Sequence, residues 1–182
     1  LGQLIRGVVP QTEDRVTKIQ EYLTAGKLSD LGENGVIVGS ELVRYFGYQL
    51  GDEITVISPG SGIEGRGWRY RLTIVGIFHS GMVDLDMNLL LVHLNKAQQI
   101  FDLPANVTSG IGVKLKNPYD AQAVQKRIYE KLGYSFLAKT WIDMNRNLFE
   151  ALFLEKWGLF IILAFMVLVA SFNIISTLIV TV

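Results

Sequence analysis

The sequence predicts an α+β domain built on a mixed sheet, followed by a long helix that continues into a membrane. Three observations carry this reading. All 34 Asp, Glu, Lys and Arg residues of the 182-residue chain lie before residue 157, and the last 26 residues contain none. Upstream, short β-branched and aromatic runs alternate with short amphipathic runs bounded by Gly, Pro, Ser and Asn. Between the two, residues 140–156 have helical periodicity and no Gly or Pro.

Taken in order, RVTKIQEYL (15–23) has helical spacing, and GVIVG (35–39) reads as a short buried strand. SELVRYFG (40–47) opens on a Ser cap and closes on Gly, the pattern of a two-turn helix. DEITVIS (52–58) and RYRLTIVGIF (69–78) are strands flanking a loop, and LLLVHL (89–94) is another strand. NKAQQIFDL (95–103) is a helix with an Asn cap, and GIGVKL (110–115) a strand. Pro118 opens a helix that closes on Gly133. SFLAKTW (135–141) is a last strand feeding the long helix. The expected organisation is a domain over 1–140, a connecting helix over 141–156 and a membrane helix over 157–182.

Composition narrows the function. With 17 basic and 17 acidic side chains the chain is neutral, which speaks against a nucleic-acid partner. No Cys means no disulfide framework and no Cys-based zinc or redox chemistry. The region before residue 157 is about 22% charged, an ordinary value for a soluble domain.

The run WGLFIILAFMVLVASFNIISTLIVTV would extend roughly 39 Å as a helix, against a hydrocarbon core of about 30 Å. A buried helix of a soluble protein would need cover on every face, more than the preceding domain can supply. Asn173, Ser176 and Thr177 share one helical face, continued by Met166, Ala170 and Val180. An amide in hydrocarbon needs a partner, so this face is expected to pack on another helix or chain. Alternatively, the hydroxyls satisfy their own carbonyls one turn back. The run reaches Val182 with no charged stop, as expected for a piece of a longer polytopic protein. Upstream, Thr140 and Asp143 have capping-box spacing, Arg146 and Glu150 can pair across a turn, and Leu148, Phe149, Leu152 and Phe153 form an apolar face. One continuous helix from about 141 into the bilayer follows, able to transmit force or to serve as a plain anchor. Near the span, Lys139, Arg146 and Lys156 balance Asp143, Glu150 and Glu155, so charge does not set orientation.

Several chemical motifs are weighed and set aside. Gly60, Gly62 and Gly65 match G-x-G-x-x-G, but the loop runs into a strand, where a dinucleotide site needs a helix amino end. His79 and His93, with Asp84 and Asp86 between them, are too loosely spaced for a metal site. No nucleophile elbow or Ser/His/Asp order has supporting context, so the chain is expected to be non-catalytic. What remains is the loop SPGSGIEGRGWR (58–69). Trp68 with Arg66, Arg69 and Arg71 supplies residue types common at binding hot spots, on a hairpin able to present them. The loop is either a recognition surface or a hairpin tip with Trp68 covering the core edge.

The stretch TWIDMNRNLFEALFLEKWGLFIILAFMVLVASFNIISTLIV resembles the end of the periplasmic domain and the second membrane helix of LolC/LolE lipoprotein-releasing permeases. GVIVGSELVRYFGYQLGDEITVISP, LTIVGIFHSGM and KNPYDAQAVQKRIYEKLGY are similar to the same family in the same order, and also to MacB-like permeases. The resemblance implies a MacB-like periplasmic domain in the bacterial inner membrane, paired with a second LolC/LolE-type subunit, as hetero- or homodimer, and with a LolD-like ATPase. ATP would be bound by that ATPase, and no cofactor by this chain. Lipoprotein substrate would pass to a LolA-like carrier captured by a loop corresponding to Ser58, Pro59, Gly60, Arg66, Trp68, Arg69 and Arg71. Phe160, Leu163, Met166 and Val167 would touch the acyl chains, with membrane lipid around the rest, and further membrane helices would lie outside this chain. The alternatives are a MacB- or FtsX-type permease acting on another substrate or on a cell-wall hydrolase, and a membrane-anchored extracytoplasmic binding or sensor domain.

Overall fold

Alternation of apolar residues builds one six-stranded mixed sheet in a computed structural model of the chain, which describes residues 2–13, 15–58 and 68–181. Its strands are β1 (Leu4–Val8), β2 (Leu23–Gly26), β3 (Gly35–Gly39), β4 (Glu53–Ile57), β5 (Arg69–Phe78) and β6 (Leu89–His93). They run in the order β1-β6-β3-β5-β2, with β4 also on β5. β1 lies parallel to β6 and β3 parallel to β5, while the β3/β6, β2/β5 and β4/β5 pairs are antiparallel. β5 is the long member. Arg69–Thr73 pair with β4, and Gly76–Phe78 pair with both β2 and β3.

The period of two explains why the central strands are buried on both sides. Val36, Val38, Leu90 and Val92 face a cluster with Leu42, Ile54, Leu72, Ile74, Ala97 and Ile100. Ile37 and Leu91, one residue out of phase, join Val8, Leu28, Leu31 and Phe78 in a second cluster. Each fully buried aliphatic side chain contributes roughly 1.5–3 kcal/mol. Four short helices belong to this unit: α1 (Pro10–Glu13), α2 (Ser40–Phe46), α3 (Val83–Asn88) and α4 (Leu94–Ile100). α2 ends as the sequence predicts, on Gly47 in the left-handed region with φ +72°. Gly39 is needed for a different reason. A Cβ there would lie 2.1 Å from the backbone oxygen of Asp86, so only a residue without one lets β3 and α3 approach this closely.

Several expectations are corrected. Residues 15–23 form no α-helix, since Ile19–Tyr22 make one 3₁₀ turn and Leu23 starts β2, whose ladder to β5 overrides the local helical spacing. β1, α1 and α3 were not expected. The helix after β6 is capped by His93, whose Nδ1 accepts from the Asn95 amide at 3.4 Å, and it begins one residue before the expected Asn cap. Residues 110–115 and 135–141 form no strand. Ile111 and Leu137 are about four-fifths exposed, and both Ala138 backbone groups go to side chains: its C=O accepts from Gln125 Nε2 at 2.7 Å and Tyr129 Oη at 3.1 Å, and its N–H donates to Tyr129 Oη at 3.1 Å. An alternating pattern becomes a strand only where a neighbouring strand takes those groups.

The chain divides into two compact units, Leu1–Lys114 and Leu115–Val182. The second contains α5 (Ala121–Leu132), α6 (Trp141–Met144) and α7 (Arg146–Thr181). Asn117 caps a 3₁₀ turn at Pro118–Asp120 that leads into α5, and the chain turns at Gly133 with φ +72°. The Thr140 capping box forms in both directions: Asp143 N–H donates to Thr140 Oγ1 at 3.1 Å, and Thr140 N–H to Asp143 Oδ2 at 3.0 Å. The helix expected to run unbroken from 141 is interrupted at Asn145, at φ −111° and ψ 28°. Asn145 Nδ2 donates to Trp141 O at 2.7 Å, a local bond that competes with helical continuation. From Arg146 the helix continues without a break for 36 residues, about 54 Å, and carries the Arg146–Glu150 ion pair at 2.7 Å.

Two outcomes test this account. Gly39→Ala should lower unfolding stability by roughly 1–3 kcal/mol in denaturant titration of the detergent-solubilised chain. Gly32→Ala, whose Cβ meets nothing within 4 Å, should change it little, and equal effects would refute the close approach. The Thr140 backbone N–H first, then its hydroxyl, Gln125 and Arg146, hold the Asp143 carboxyl below its ordinary value of 3.8. A depressed native pKa stabilises α6 fully above 3.8, and that contribution is lost as pH falls through the native value. In carboxyl carbon NMR, Thr140→Val should move the Asp143 midpoint up towards 3.8, and an unmoved midpoint would contradict the cap.

Candidate functional site

The β4–β5 hairpin is registered Glu53↔Thr73, Thr55↔Arg71 and Ile57↔Arg69. One step beyond the ladder, Ser58 N–H donates to Trp68 O at 3.0 Å and closes the base of the intervening loop. Pro59, Gly60 and Arg66 lie outside the described residues, as does the G-x-G-x-x-G match, so of the predicted recognition residues the structure places Ser58, Trp68, Arg69 and Arg71.

Those four separate into anchor and surface. Ser58 is buried, and its Oγ donates to Ile100 O at 2.5 Å. Tyr70, which the sequence reading did not single out, donates from Oη to Gln99 O at 2.8 Å. Both acceptors belong to the last turn of α4, whose carbonyls have no partner further along the helix. The hairpin therefore supplies a donor to Ile100 O and a second one to Gln99 O, which also accepts from Asp102 N–H at 3.3 Å, and these bonds fix the hairpin on α4. Lys96 Nζ, 6.0 Å from the Tyr70 ring centroid, adds a long cation–π contact on the same side. The signal that would have found this is the period of two, which places Tyr70 with Leu72 and Ile74 on the inward face.

Trp68 is 66% exposed, so it does not cover the core edge. Ile57, Arg69 and Arg71 are exposed with it, and register and alternation place Thr55, Ile57, Arg69 and Arg71 on one face of the ribbon. Neither arginine makes an ion pair among the described residues. Two arginines without an ion pair among the described residues, beside an exposed aliphatic side chain and an indole, have the chemistry to meet acidic and apolar groups. On the inner side of β4 an apolar cleft of about 540 Å³ lies among Ile5, Leu42, Phe46, Ile54, Val56 and Ile100.

The structure also brings together a serine, a histidine and an aspartate that the sequence reading had not joined. His79 Nδ1 lies 2.8 Å from Ser40 Oγ and 3.0 Å from Asp86 Oδ2. Asp86 is buried, and its Oδ1 accepts from Ser80 N–H at 2.9 Å and Ser80 Oγ at 2.6 Å. Oδ2 has the close ionic approach of His79 but no hydrogen bond of good geometry. A proton relay needs the hydroxyl on one ring nitrogen and the carboxylate on the other, and here both meet Nδ1. The cluster thus ties the end of β5 to the starts of α2 and α3 and does no chemistry of that kind. His93 is engaged at its helix cap, and the described residues contain no group of three or more potential metal ligands.

On α7, Phe160, Leu163 and Val167 share one exposed face, with Met166 at its border. Three hydroxyls bond back to their own helix: Ser171 to Val167 O at 2.8 Å, Thr177 to Asn173 O at 2.8 Å and Thr181 to Thr177 O at 2.7 Å. Neither the Asn173 amide nor the Ser176 hydroxyl is so engaged among the described residues.

A mixed-sheet body and, among the described residues, one helix long and apolar enough to cross a membrane define a membrane-protein module. The MacB-like periplasmic core domain family matches residues 3–131. The chain is 33% identical to the lipoprotein-releasing system transmembrane protein LolC of Neisseria meningitidis serogroup B, over 100% of this chain and 45% of the relative. It is 27% identical to LolC of Xylella fastidiosa, over 96% of this chain and 43% of that protein. It is 25% identical to LolE of Haemophilus influenzae, over 98% of this chain and 44% of that protein. The chain belongs to the MacB-like periplasmic core domain family, in its LolC/LolE group. It spans less than half the length of these relatives.

Ser58→Ala should cost roughly 1–3 kcal/mol, because the Ile100 carbonyl keeps its burial and loses its donor. Trp68→Ala should leave stability within about 0.5 kcal/mol. Thermal unfolding of both variants checks the division, and a reversed order would overturn it.

Proposed function

We propose that the chain is part of the permease subunit of an ABC transporter that releases lipoproteins from the bacterial inner membrane, with its main domain in the periplasm. The observation that carries this is similarity along the whole chain to proteins named as lipoprotein-releasing LolC and LolE, joined to a hairpin built for display. The subunit is non-catalytic. A LolD-like ATPase binds and hydrolyses ATP, and a second LolC/LolE-type subunit completes the permease. α7 carries the stroke, and its unbroken run from Arg146 to Thr181 suits that role.

In this reading the hairpin captures a LolA-like carrier. Trp68, Arg69 and Arg71 make contact together with Pro59, Gly60 and Arg66, while Ser58 serves from beneath as the anchor. Phe160, Leu163, Met166 and Val167 face the acyl chains of the lipoprotein, and the remaining surface of the helix meets membrane lipid or other helices.

The test is binding of a purified LolA-like carrier to the full-length protein in nanodiscs. Deleting Gly60–Trp68, or combining Arg69→Glu with Arg71→Glu, should weaken capture at least about tenfold with no change in thermal unfolding. Undiminished capture by both variants would remove the hairpin from the carrier interface.

A further inference from the structure

We propose that the junction between α6 and α7 is a locked elbow, with Trp141 as its wedge, which passes a tilt of α7 to α5 and α6 instead of absorbing it. The inference rests on the reading of the chain as part of a lipoprotein-releasing permease in which α7 carries the stroke. α6 ends at Asn145, where φ −111° and ψ 28° depart from helical values, and α7 begins at the next residue. Such a break lets two helices swivel unless other contacts fix their angle. Here side chains on both sides of it do so. The Trp141 indole meets the Phe149 ring across the break, with centroids 5.4 Å apart and planes at 63°. The same indole meets Tyr119 at 6.4 Å and 71°, and its Nε1–H donates to Pro118 O at 2.9 Å. Gln125 Nε2 donates to Asp143 Oδ2 at 3.0 Å, which ties α6 to α5. The backbone joins as well, since Phe149 N–H donates to Asn145 O at 3.2 Å and the α7 ladder starts at the break itself.

Distance shows that bend and wedge depend on each other. In an unbroken helix the eight residues from Trp141 to Phe149 would rise about 12 Å, and both side chains would lean the same way. An edge-to-face contact needs ring centroids within about 7 Å. The bend at Asn145 therefore creates the Trp141–Phe149 contact, and straightening the bend would break it. Trp141 thus joins three segments: the Pro118–Tyr119 turn that leads into α5, α6 itself, and the first turn of α7. Its ring is held by a hydrogen bond as well as by packing, so it cannot slide to follow Phe149 without losing Pro118 O. The other aromatic contacts of α7, Phe153–Trp157 and Trp157–Phe160, lie within one helix and have no bearing on the angle. Trp141 is accordingly a positioning residue, acting on release through the elbow.

The test uses the full-length protein assembled with its partner subunits in proteoliposomes, in a cysteine-free background. Spin labels at Lys131→Cys on α5 and Glu155→Cys on α7 report the elbow through their distance distribution. The parent should give one narrow distance, and Trp141→Ala or Phe149→Ala should roughly double its width, whereas Trp141→Phe, which keeps a ring at the contact, should widen it less. In the same liposomes, loaded with a lipoprotein and supplied with a LolA-like carrier, both alanine variants should lower the lipoprotein released per ATP hydrolysed about three- to tenfold, with carrier capture unchanged. A broad distribution in the parent, an unchanged width in both alanine variants, or an unchanged release per ATP in a variant whose distribution has widened would overturn the proposal. A parent that hydrolyses ATP and releases no lipoprotein would overturn the permease reading instead, and the label distances would still decide whether the elbow is locked.

Discussion

Strand β5 is the constraint on which the first unit depends, because its ten residues serve two neighbourhoods at once. Its first half pairs with β4 and carries the hairpin, while its second half pairs with β3 and β2 and closes the core. The two halves cannot be tuned independently. A register slip by one residue would turn Leu72 and Ile74 away from their cluster and at the same time swing Arg69 and Arg71 inward. The side chains that display the surface are therefore positioned by the same ladder that buries the apolar ones. The bonds from Ser58 and Tyr70 to the end of α4 add a second fixing point, which leaves the exposed hairpin residues little freedom to lose on binding.

How far this was legible in the sequence depends on where each element finds its hydrogen bonds. β3, α2, β4, β5 and β6 carry their signals locally, as buried β-branched runs, a Gly stop and turn residues, and they form as expected. So does the Thr140–Asp143 box, which needs only residues three apart. Segments whose structure depends on a distant partner were read less well. Residues 15–23 have helical spacing, but Leu23 at their end is drawn into the sheet by β5, whereas Ile111, Val113, Phe136 and Leu137 have strand-like alternation and lie exposed without a ladder. The break at Asn145 has no Gly or Pro to announce it: there the Trp141 carbonyl is shared between the Asn145 side chain at 2.7 Å and its backbone N–H at 3.2 Å.

The candidate site divides in the same way. Trp68, Arg69 and Arg71 stand out by residue type, and all three are exposed. Ser58 was grouped with them by position, yet it is buried and bonded to α4, a role that sequence proximity hides. The cluster of Ser40, His79 and Asp86 was invisible because its members come from three elements joined only by the fold. Seen together, they are instructive mainly by their geometry, since two partners on one ring nitrogen make a clasp where partners on two would make a relay.

Polar groups in the membrane helix obey a stricter rule than those in the body. In the body, an unsatisfied group such as Asp86 Oδ2 on α3 still has His79 close by. In hydrocarbon no such recourse exists, so each polar atom must be satisfied by its own helix or by another. The hydroxyls of Ser171, Thr177 and Thr181 take the first course, and in doing so they become neutral with respect to any partner. Asn173 makes no such bond among the described residues, and its amide carries both donors and an acceptor. An amide is therefore the costliest side chain of this apolar run to leave in hydrocarbon without a partner.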